Sequence, residues 1–203
     1  YIDPIRVITN QSSGKTGVLL ASELISSGAK VTLVYGPGIE KPPKGAKIIK
    51  ISTSKEMFNV VKKEMSKEFD IVIMAAAIAD YTPENISKNK IKSTKNKIKI
   101  SLKKTPKIID QIKKYQKNVF LVGFKAETNL SKNELITLAK KKMNESDADM
   151  IVANDIGSIR YRKNPESNEV LVIDSHKVIS SGWIKKEKIA KFIRKEIEQR
   201  LKT

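Results

Sequence analysis

The apolar run Ile71–Ile78 constrains the fold of this chain more than any other segment. An uninterrupted apolar run of this kind is typical of a strand that is buried on both faces of a sheet. Shorter apolar runs alternate along the chain with segments of helical spacing, a pattern that predicts βαβ units and a mostly parallel sheet. We therefore predict an α/β protein with three layers, α/β/α, and antiparallel hairpin extensions. The other predicted strands are Lys30–Tyr35, Ala46–Ile51, Val119–Phe124 and Met150–Ala153.

Apolar residues at helical spacing predict helices between these strands. Two helix starts, at Thr53 and Ser131, have the spacing of a capping box, in which glutamate follows a hydroxyl residue by three positions. Thr105-Pro106 is expected to open another helix, because proline is favoured in a first helical turn. The remaining predicted elements are a helix over Val18–Ser26 ended by Gly28, a polar loop over Ile156–Asn168, a hairpin of Glu169–Ile173 and Lys177–Ile179 with an exposed His176 at its turn, and a closing helix over Lys185–Leu201.

The tail of the central strand, Ala75–Tyr81, carries mostly alanine side chains. Small residues at the carboxyl end of a strand allow a ligand to lie against the backbone. In open α/β sheets this edge is the crevice where ligands bind. The sequence therefore predicts a binding site beside Ala75–Tyr81.

A turn rich in serine and glycine, residues 8–17, precedes the first predicted helix. Free N–H groups and the helix dipole at such a start favour an anion. The tripeptide Gly14-Lys15-Thr16 resembles the end of a P-loop, but that motif requires glycine five positions before Gly14, where the chain has Thr9. Taken alone, the turn favours a serine-capped helix start without a ligand. A Rossmann-like unit also normally has an apolar strand before its phosphate loop, so we expect either that the first strand is missing here or that the fold starts unusually.

Residues 88–104 contain eight lysines and no carboxylate. Within them, Lys97–Leu102 alternates with period two, which predicts a half-exposed strand in a hairpin arm or flap at about residues 86–104. Lysines also protect exposed sheet edges against aggregation. The pattern supports a functional flap and a protected edge strand about equally.

Composition limits the functions that this chain can have. It has no cysteine and one histidine, which excludes disulfides and thiolate metal sites and disfavours a histidine-based metal site or a Ser-His-Asp triad. The net charge of +18 favours anionic partners, but the lysines are spread over all segments and few aromatic residues accompany them. A phosphate-rich small substrate is therefore favoured over nucleic acid. Because no run approaches a membrane span and no signal peptide heads the chain, we expect a cytoplasmic protein without membrane contact.

Six short motifs follow one another in this chain: Asp3-Pro4-Ile5-Arg6 with Ile8-Thr9-Asn10, Ser12-Ser13-Gly14-Lys15 with Gly17, Ala75–Tyr81, Lys90-Ile91-Lys92, Gly123-Phe124 with Ala126-Glu127-Thr128, and Ile151–Asp155. Their order and spacing resemble the phosphopantothenoylcysteine synthetase family, the second half of the bifunctional coenzyme A biosynthesis flavoprotein. Each motif is weak by itself, and the ordered set is specific. The resemblance implies a single synthetase domain with a Rossmann-like fold over residues 1–203.

The resemblance implies a ligase reaction. The family activates the carboxylate of 4′-phosphopantothenate with CTP to give an acyl-cytidylate and pyrophosphate, and the amine of cysteine then displaces CMP. This implies Mg²⁺ with CTP as co-substrate, no metal ligand assigned on the protein, and no flavin on this chain. It also implies a homodimer, for which the Glu169–Ile179 hairpin is the expected pairing site, and leaves open a flavin-binding decarboxylase domain fused upstream.

On the acyl side of the site, the resemblance assigns catalytic roles to Arg6, Asn10 and Lys90. Asn10 matches the asparagine that turns over the acyl-cytidylate, and its amide N–H can hold the acyl oxygen as charge develops. Arg6 matches an arginine that binds this intermediate, and Lys90 matches a flap lysine that neutralises phosphate charge. The same side includes Ala76 and Ala77, whose backbone lies near the intermediate, and Ser12, Ser13 and Gly14, a helix start that steadies a phosphate.

The nucleotide side is assigned to a second group of residues. Asp80 matches the aspartate that recognises the base, since a carboxylate can accept from an amine such as cytosine N4. Two positions depart from the family: Lys107 stands where the family has the aspartate of Asn-Pro-Asp-Ile, and Ser146 stands where it has a second lysine. The choice among CTP, ATP and UTP therefore stays open. The assigned residues are Ala75, Asp80, Lys90, Thr105, Pro106, Lys107, Ile108, Phe124, Lys142 and Ser146, of which Phe124 is explained nearly as well by a plain core position.

Two other functions remain as alternatives. A non-catalytic Rossmann-like module would bind a nucleotide or nucleic acid through its positive charge. An NAD-linked oxidoreductase is disfavoured because no Gly-x-Gly-x-x-Gly motif follows a strand.

Overall fold

The computed structural model describes residues 1–94 and 96–202, so Lys95 of the predicted flap lies outside the described residues. The helices are α1 (Lys15–Ser26), α2 (Ser54–Glu64), α3 (Ile109–Tyr115), α4 (Lys132–Ser146), α5 (Ile159–Lys163) and α6 (Lys186–Leu201). The strands are β1 (Thr32–Tyr35), β2 (Lys47–Lys50), β3 (Ile71–Met74), β4 (Tyr81–Pro83), β5 (Leu102–Lys104), β6 (Phe120–Glu127), β7 (Met150–Asp155), β8 (Ser167–Asn168), β9 (Leu171–Ile173), β10 (Val178–Ser180) and β11 (Ile184–Lys185).

A five-stranded sheet forms the centre of the molecule, with strand order β10-β9-β7-β6-β3. Strands β3, β6 and β7 run parallel, while β9 and β10 add to the sheet as an antiparallel hairpin. The carboxyl ends of the three parallel strands therefore lie at one edge. The hairpin predicted over residues 169–179 is present, and its turn leaves His176 exposed as predicted.

Buried side chains cover both faces of this sheet. Leu121 and Val122 are neighbours in β6, and both are fully buried, because successive strand residues point to opposite faces. Leu121 belongs to the core cluster formed with α2, α3 and α4. Val122 belongs to the cluster formed with α1 and α6. The predicted three-layer α/β/α arrangement is confirmed.

Local hydrogen bonds set the starts of two helices as the sequence predicts. The Ser131 hydroxyl accepts from the Glu134 N–H at 3.3 Å, and the Glu134 carboxylate accepts from the Ser131 N–H at 2.9 Å, which completes a capping box. The Thr53 hydroxyl accepts from the Glu56 N–H at 3.1 Å. Here the second half of the box differs, because the Glu56 carboxylate accepts from the preceding N–H, that of Ser52.

The parallel strands are divided between two sheets. Strands β1 and β2 pair in parallel with each other, and β3 is the edge strand of the main sheet. Val34 of β1 nevertheless packs against the core cluster under α2. Side-chain packing therefore attaches β1 and β2 to the body of the protein.

The basic segment forms a shorter hairpin than its period-two pattern predicts. Its strand is β5, which pairs antiparallel with β4 over three residues, and residues 97–101 are not in a strand. Alternation alone does not make a strand, because a strand needs a partner, and β4 ends at Pro83. The hairpin was correctly predicted, but its strand over Lys97–Leu102 was wrong except for Leu102.

Three other boundaries differ from the predictions. The central strand ends at Met74, and the next five residues leave the sheet. The helix expected at Thr105-Pro106 begins at Ile109, because the Thr105 N–H is bonded to the Asp80 carbonyl at 2.8 Å outside any helix. The polar loop predicted over residues 156–168 contains α5 and β8. The Ser158 hydroxyl caps α5 by accepting from the Tyr161 N–H at 3.2 Å.

Within the described residues, no helix combines the length and the apolar content that crossing a membrane requires.

Candidate active site

The segment that follows β3 lies at the carboxyl edge of the main sheet and is the centre of the candidate site. Ala76 and Ala77 are exposed there, as a ligand surface requires. The Asn10 side-chain amide donates to the Ile78 carbonyl at 3.2 Å. This bond brings the amide assigned to acyl chemistry beside the alanine backbone assigned to the intermediate, although 68 positions separate the two residues.

The segment before Asn10 is held in place by hydrogen bonds to a buried carboxylate. Asp3 is fully buried, and its Oδ1 accepts from the N–H groups of Ile5 at 2.9 Å and Arg6 at 2.8 Å. Its Oδ2 accepts from Arg6 Nε at 2.8 Å and from the Ile91 N–H at 3.1 Å. Arg6 and the backbone donors hold the pKa of the Asp3 carboxyl far below its usual range. Asp3 therefore remains charged wherever the protein is folded at ordinary pH.

Arg6 also bonds the basic segment directly. Its Nη2 donates to the Ile91 carbonyl at 2.8 Å. Lys90, the predicted flap lysine, is the preceding residue, and its side chain is exposed. The structure thus brings Arg6 to the base of the flap that carries Lys90. We call residues 2–10 together with Ile91 the anchored side of the site.

The nucleotide assignment falls on a different group, Asp80 with Thr105–Lys107, which we call the open side. The Asp80 carboxylate forms an ion pair with Lys107, and both side chains are more than half exposed. The Thr105 hydroxyl oxygen is buried and has no hydrogen-bond partner within residues 1–94 and 96–202. A buried polar atom without a partner calls for an explanation, and a bound ligand or water supplies one.

The turn at residues 12–14 leads into α1, which begins at Lys15 rather than at Val18, and the predicted serine cap was wrong because the N-cap residue makes no side-chain cap bond. Gly14 is the N-cap residue with φ of 82°, a left-handed conformation that favours glycine. The Ser13 hydroxyl accepts from the Lys15 N–H at 3.2 Å. Lys15 itself forms an ion pair with Glu166 and lies 3.6 Å from Glu187, so its ammonium is held on the side of α6. Lys15 therefore does not occupy the position of a P-loop lysine, in agreement with the missing first glycine of that motif.

Three other residues assigned to the nucleotide side, Lys142, Ser146 and Phe124, are bonded to or packed against parts of the structure other than Asp80. Lys142 pairs with Asp110 in the first turn of α3 at 2.8 Å, which places it close to the segment that ends at Ile108. Ser146 is buried, and its hydroxyl donates to the Lys142 carbonyl at 2.7 Å within α4. Phe124 packs against the core cluster under α6. Their roles toward a nucleotide stay predictions.

The burial and the hydrogen bonds of Asp3 were not predicted from the sequence, where this residue was only part of a motif. The available signal was Asp3 followed by Arg6 three positions later, a spacing that allows an ion pair in a tight turn. The pairing of Lys107 with Asp80 was not predicted either, because these residues belong to different segments. Among the described residues, no group of three His, Cys, Asp or Glu side chains is placed to hold a metal ion.

Comparison with known families decides the relationship of this chain. A family model described as DNA/pantothenate metabolism flavoprotein C-terminal domain matches residues 1–201. The chain belongs to this family. The resemblance to the phosphopantothenoylcysteine synthetase half of the bifunctional flavoprotein, inferred from six motifs, is thereby confirmed.

Individual members of the DNA/pantothenate metabolism flavoprotein family give the extent of the match. The coenzyme A biosynthesis bifunctional protein CoaBC of Thermococcus kodakarensis is 40% identical over 202 residues, which cover 99% of this chain and 49% of that protein. The chain thus spans about half the length of the curated relatives that it matches. The crystal structure of a CoaBC C-terminal domain matches with a TM-score of 0.81 and 31% identity, covering 99% of this chain and 89% of that one. The DNA/pantothenate metabolism flavoprotein from Streptococcus pneumoniae matches with a TM-score of 0.85 and 26% identity, covering 98% and 94%.

Proposed function

We propose that this chain joins 4′-phosphopantothenate to cysteine through an acyl-cytidylate, as the ligase part of coenzyme A biosynthesis. The observation that carries the proposal is the contact between the Asn10 amide and the Ile78 carbonyl. This contact supports the proposal, because an amide of this kind can donate to a developing oxyanion and the neighbouring backbone is exposed enough for a flat ligand to lie against it. Membership of the family supports the same function.

In the first half-reaction, a carboxylate oxygen of 4′-phosphopantothenate attacks the α-phosphorus of CTP, and pyrophosphate leaves with the electrons of the broken P–O bond. Negative charge builds up on the phosphate oxygens during this step. The Lys90 ammonium and the Arg6 guanidinium are the cations that we assign to this charge. Arg6 belongs to the anchored side, and its bond to the Ile91 carbonyl ties it to the backbone next to Lys90.

In the second half-reaction, the neutral amine of cysteine attacks the acyl carbon, the acyl–phosphate bond breaks, and CMP leaves. The amine gives up a proton as the amide forms. We assign the Asn10 amide to the carbonyl oxygen, which carries the negative charge of the tetrahedral intermediate. Donors that are fixed before reaction stabilise such charge best, and the bond of Asn10 to Ile78 fixes this amide.

The open side is assigned to the base of the nucleotide. The Asp80 carboxylate accepts from an exocyclic amine of the base, which displaces the Lys107 ammonium that pairs with Asp80 in the unliganded protein. Cytosine and adenine both offer such an amine and uracil does not, and because the family resemblance favours CTP we propose CTP as the preferred nucleotide. The unpartnered Thr105 hydroxyl provides one further hydrogen bond at this side.

Mg²⁺ enters this proposal as a companion of the nucleotide. The described residues contain no acidic cluster that fits an ion held by the protein alone. Triphosphate oxygens are the usual partners of Mg²⁺ in nucleotide sites, where it neutralises charge. We assign no protein ligand and no catalytic step to the ion.

Assembly and context complete the proposal. We propose a homodimer in which β10, the edge strand of the main sheet, pairs with its symmetry mate. The bifunctional name of the relatives supports a flavin-binding decarboxylase half on the same polypeptide. Because the substrates are central metabolites, we place the reaction in the cytoplasm. Light scattering tests the dimer, and a monomer at assay concentration contradicts it.

The test of function is pyrophosphate release. Purified protein with Mg²⁺, 4′-phosphopantothenate and cysteine is given CTP, ATP, UTP or GTP in turn. We expect release with CTP that depends on 4′-phosphopantothenate, and no release with any nucleotide contradicts the proposal. A steep salt-dependent affinity for RNA that survives Lys90→Ala favours the alternative of a nucleic-acid binding module.

A further inference from the structure

Asp3 occupies a position that the reaction itself does not explain. Its carboxylate is fully buried, yet the chemistry proposed above uses neither of its oxygens. Burying a carboxylate is costly unless every lone pair finds a donor. Asp3 meets this requirement with three backbone N–H groups and the Arg6 side chain. All of these partners belong to the anchored side.

The bonds to Arg6 determine where its guanidinium can act. Nε and Nη2 both donate to Asp3 Oδ2, and Nη2 also donates to the Ile91 carbonyl. Nη1 has no hydrogen-bond partner within the described part of the chain, and the Arg6 side chain is 39% exposed. Asp3 therefore fixes the Nε–Nη2 edge of Arg6 and leaves Nη1 of this partly exposed side chain able to donate to an anionic group.

The bonds to Ile91 reach the flap. Both backbone groups of Ile91 are used, the N–H by Asp3 at 3.1 Å and the carbonyl by Arg6 at 2.8 Å. Another hydrogen bond holds the segment before Lys90, where the Ser87 N–H donates to the Ile2 carbonyl at 3.0 Å. In sequence, Lys90 lies between the bonded residues Ser87 and Ile91, so its backbone is constrained while its side chain stays exposed.

We propose that Asp3 is a positioning residue that fixes the positions of both cations of the site. It orients Arg6 directly and holds Lys90 through Ile91. This role rests on the function proposed above. Asp3 touches no reacting atom in it. Its effect on rate comes from keeping the two cations in place before the nucleotide arrives, since a misplacement of about 1 Å can cost about a hundredfold.

The first test requires no activity. Trypsin cuts after lysine, and the flap presents Lys88, Lys90 and Lys92. In the unliganded protein we expect Asp3→Asn to accelerate cleavage at these lysines about tenfold, because local opening becomes easier. Mass spectrometry identifies the cut sites. Unchanged cleavage in a variant that folds normally by circular dichroism overturns the proposal.

The chain offers a matched control in Asp174. This buried carboxylate also accepts from two backbone N–H groups, those of His176 and Lys177, and from Arg200 Nε at 2.8 Å. It lies at the turn between β9 and β10. Asp174→Asn should leave flap cleavage at the wild-type rate. Equal acceleration in both variants indicates general destabilisation and contradicts a specific role for Asp3.

A measurement on the wild-type protein covers the case in which Asp3→Asn does not fold. The Ile91 amide hydrogen is bonded to a buried carboxylate. Its hydrogen exchange should be at least about tenfold slower than that of Lys90 or Lys92 after correction for intrinsic rates. Equal rates at the three positions overturn the proposal.

Kinetic measurements then distinguish a positioning role of Asp3 from a purely structural one. We expect Asp3→Asn to lower kcat for pyrophosphate release by about tenfold to a hundredfold. In a Lys90→Ala background the same change should cost at least about threefold less, because residues that act as a unit are not additive. Equal costs in the two backgrounds contradict the inference. If the wild-type protein releases no pyrophosphate, the proposed function fails, while cleavage and exchange still decide whether Asp3 holds the flap.

Discussion

Two aspartates at this site are each paired with a cation, and their surroundings are opposite. Asp3, on the anchored side, is fully buried and has donors on both oxygens. Asp80, on the open side, is exposed, and its ion-pair partner Lys107 is exposed too. A buried carboxylate whose donors come from backbone cannot exchange them without unfolding its surroundings. An exposed pair can, because water and ligands reach both groups.

The difference suggests that the anchored side and the open side have different roles in the site. Exposed ion pairs contribute about 0–1 kcal/mol, so a ligand that offers a better partner can displace one at little cost. We therefore expect the open side to change when a nucleotide binds and the anchored side to stay as it is. The following predictions test this contrast, beginning with the largest effect.

The largest effect is expected from Asn10→Asp on the anchored side. This change replaces the amide donor with a carboxylate that repels a developing oxyanion. Cysteine-dependent turnover should fall about 10²–10³-fold, the usual effect of losing one oxyanion donor. A single turnover of pyrophosphate release should persist, because the first half-reaction does not use this amide. Rapid-quench kinetics measure both, and equal loss of the two half-reactions removes Asn10 from the second step.

A smaller effect is expected from Asp80→Ala on the open side. Losing the acceptor for the base amine should raise KM for CTP about tenfold to a hundredfold, within the range of one good base contact. The rate at saturating CTP should change less. Asp70→Ala is the matched control, because Asp70 is also exposed but precedes β3 at the opposite end of the strand. A CTP KM that moves equally in both variants contradicts the assignment.

The pH dependence of stability should distinguish Asp3 from an uncharged replacement. Arg6 and backbone donors lower the pKa of Asp3 in the folded protein. The contribution of the Asp3 carboxylate to the free energy of unfolding is therefore present above its unfolded pKa of about 4, and it is lost as the pH falls through its folded pKa. At neutral pH the melting temperature of the wild-type protein should lie a few degrees above that of Asp3→Asn. This difference in melting temperature should become smaller below about pH 4. Melting curves across this range provide the measurement, and a difference independent of pH contradicts the account.

The smallest effect is expected from Lys107→Asp, which restores the acidic residue that the family resemblance implies at this position. Breaking the exposed pair should change KM for CTP by no more than about fivefold, since such a pair contributes about 0–1 kcal/mol. Lys44→Asp makes the same charge change near the end of α1, where a Cβ added at neighbouring Gly45 would lie 3.3 Å from Ile25. A change of nucleotide preference in Lys107→Asp, absent from Lys44→Asp, identifies Lys107 as a specificity residue. A KM shift far above fivefold contradicts the view of an easily displaced pair.

The layers of the fold were predictable because burial leaves a periodic trace in sequence. The strand at Ile71 and the amphipathic helices follow from spacing, and the capping box at Ser131 follows from residue type. The division of the sheet was not predictable, because the pairing of β1 with β2 depends on distant segments. The start of α3 moved to Ile109 for the same reason, since Thr105 bonds to Asp80 across the chain.

The site was predictable as a set of motifs and less so as a set of contacts. The family resemblance named Arg6 and Asn10, and their proximity to the flap and to Ile78 emerged only with the fold. The burial of Asp3 leaves no trace in composition, because aspartate is usually exposed. The ion pair of Lys107 depends on the loop that follows β5, whose path no local pattern specifies.

The proposed acyl-cytidylate route is tested by detecting the activated intermediate itself. The wild-type protein is mixed with CTP, Mg²⁺ and 4′-phosphopantothenate without cysteine, quenched in acid and analysed by mass spectrometry. We expect 4′-phosphopantothenoyl-cytidylate together with an equal amount of pyrophosphate, and the loss of this species with release of CMP when cysteine is added. Release of CDP with an acyl phosphate, or cysteine-dependent ligation with no cytidylate at any time, contradicts this route.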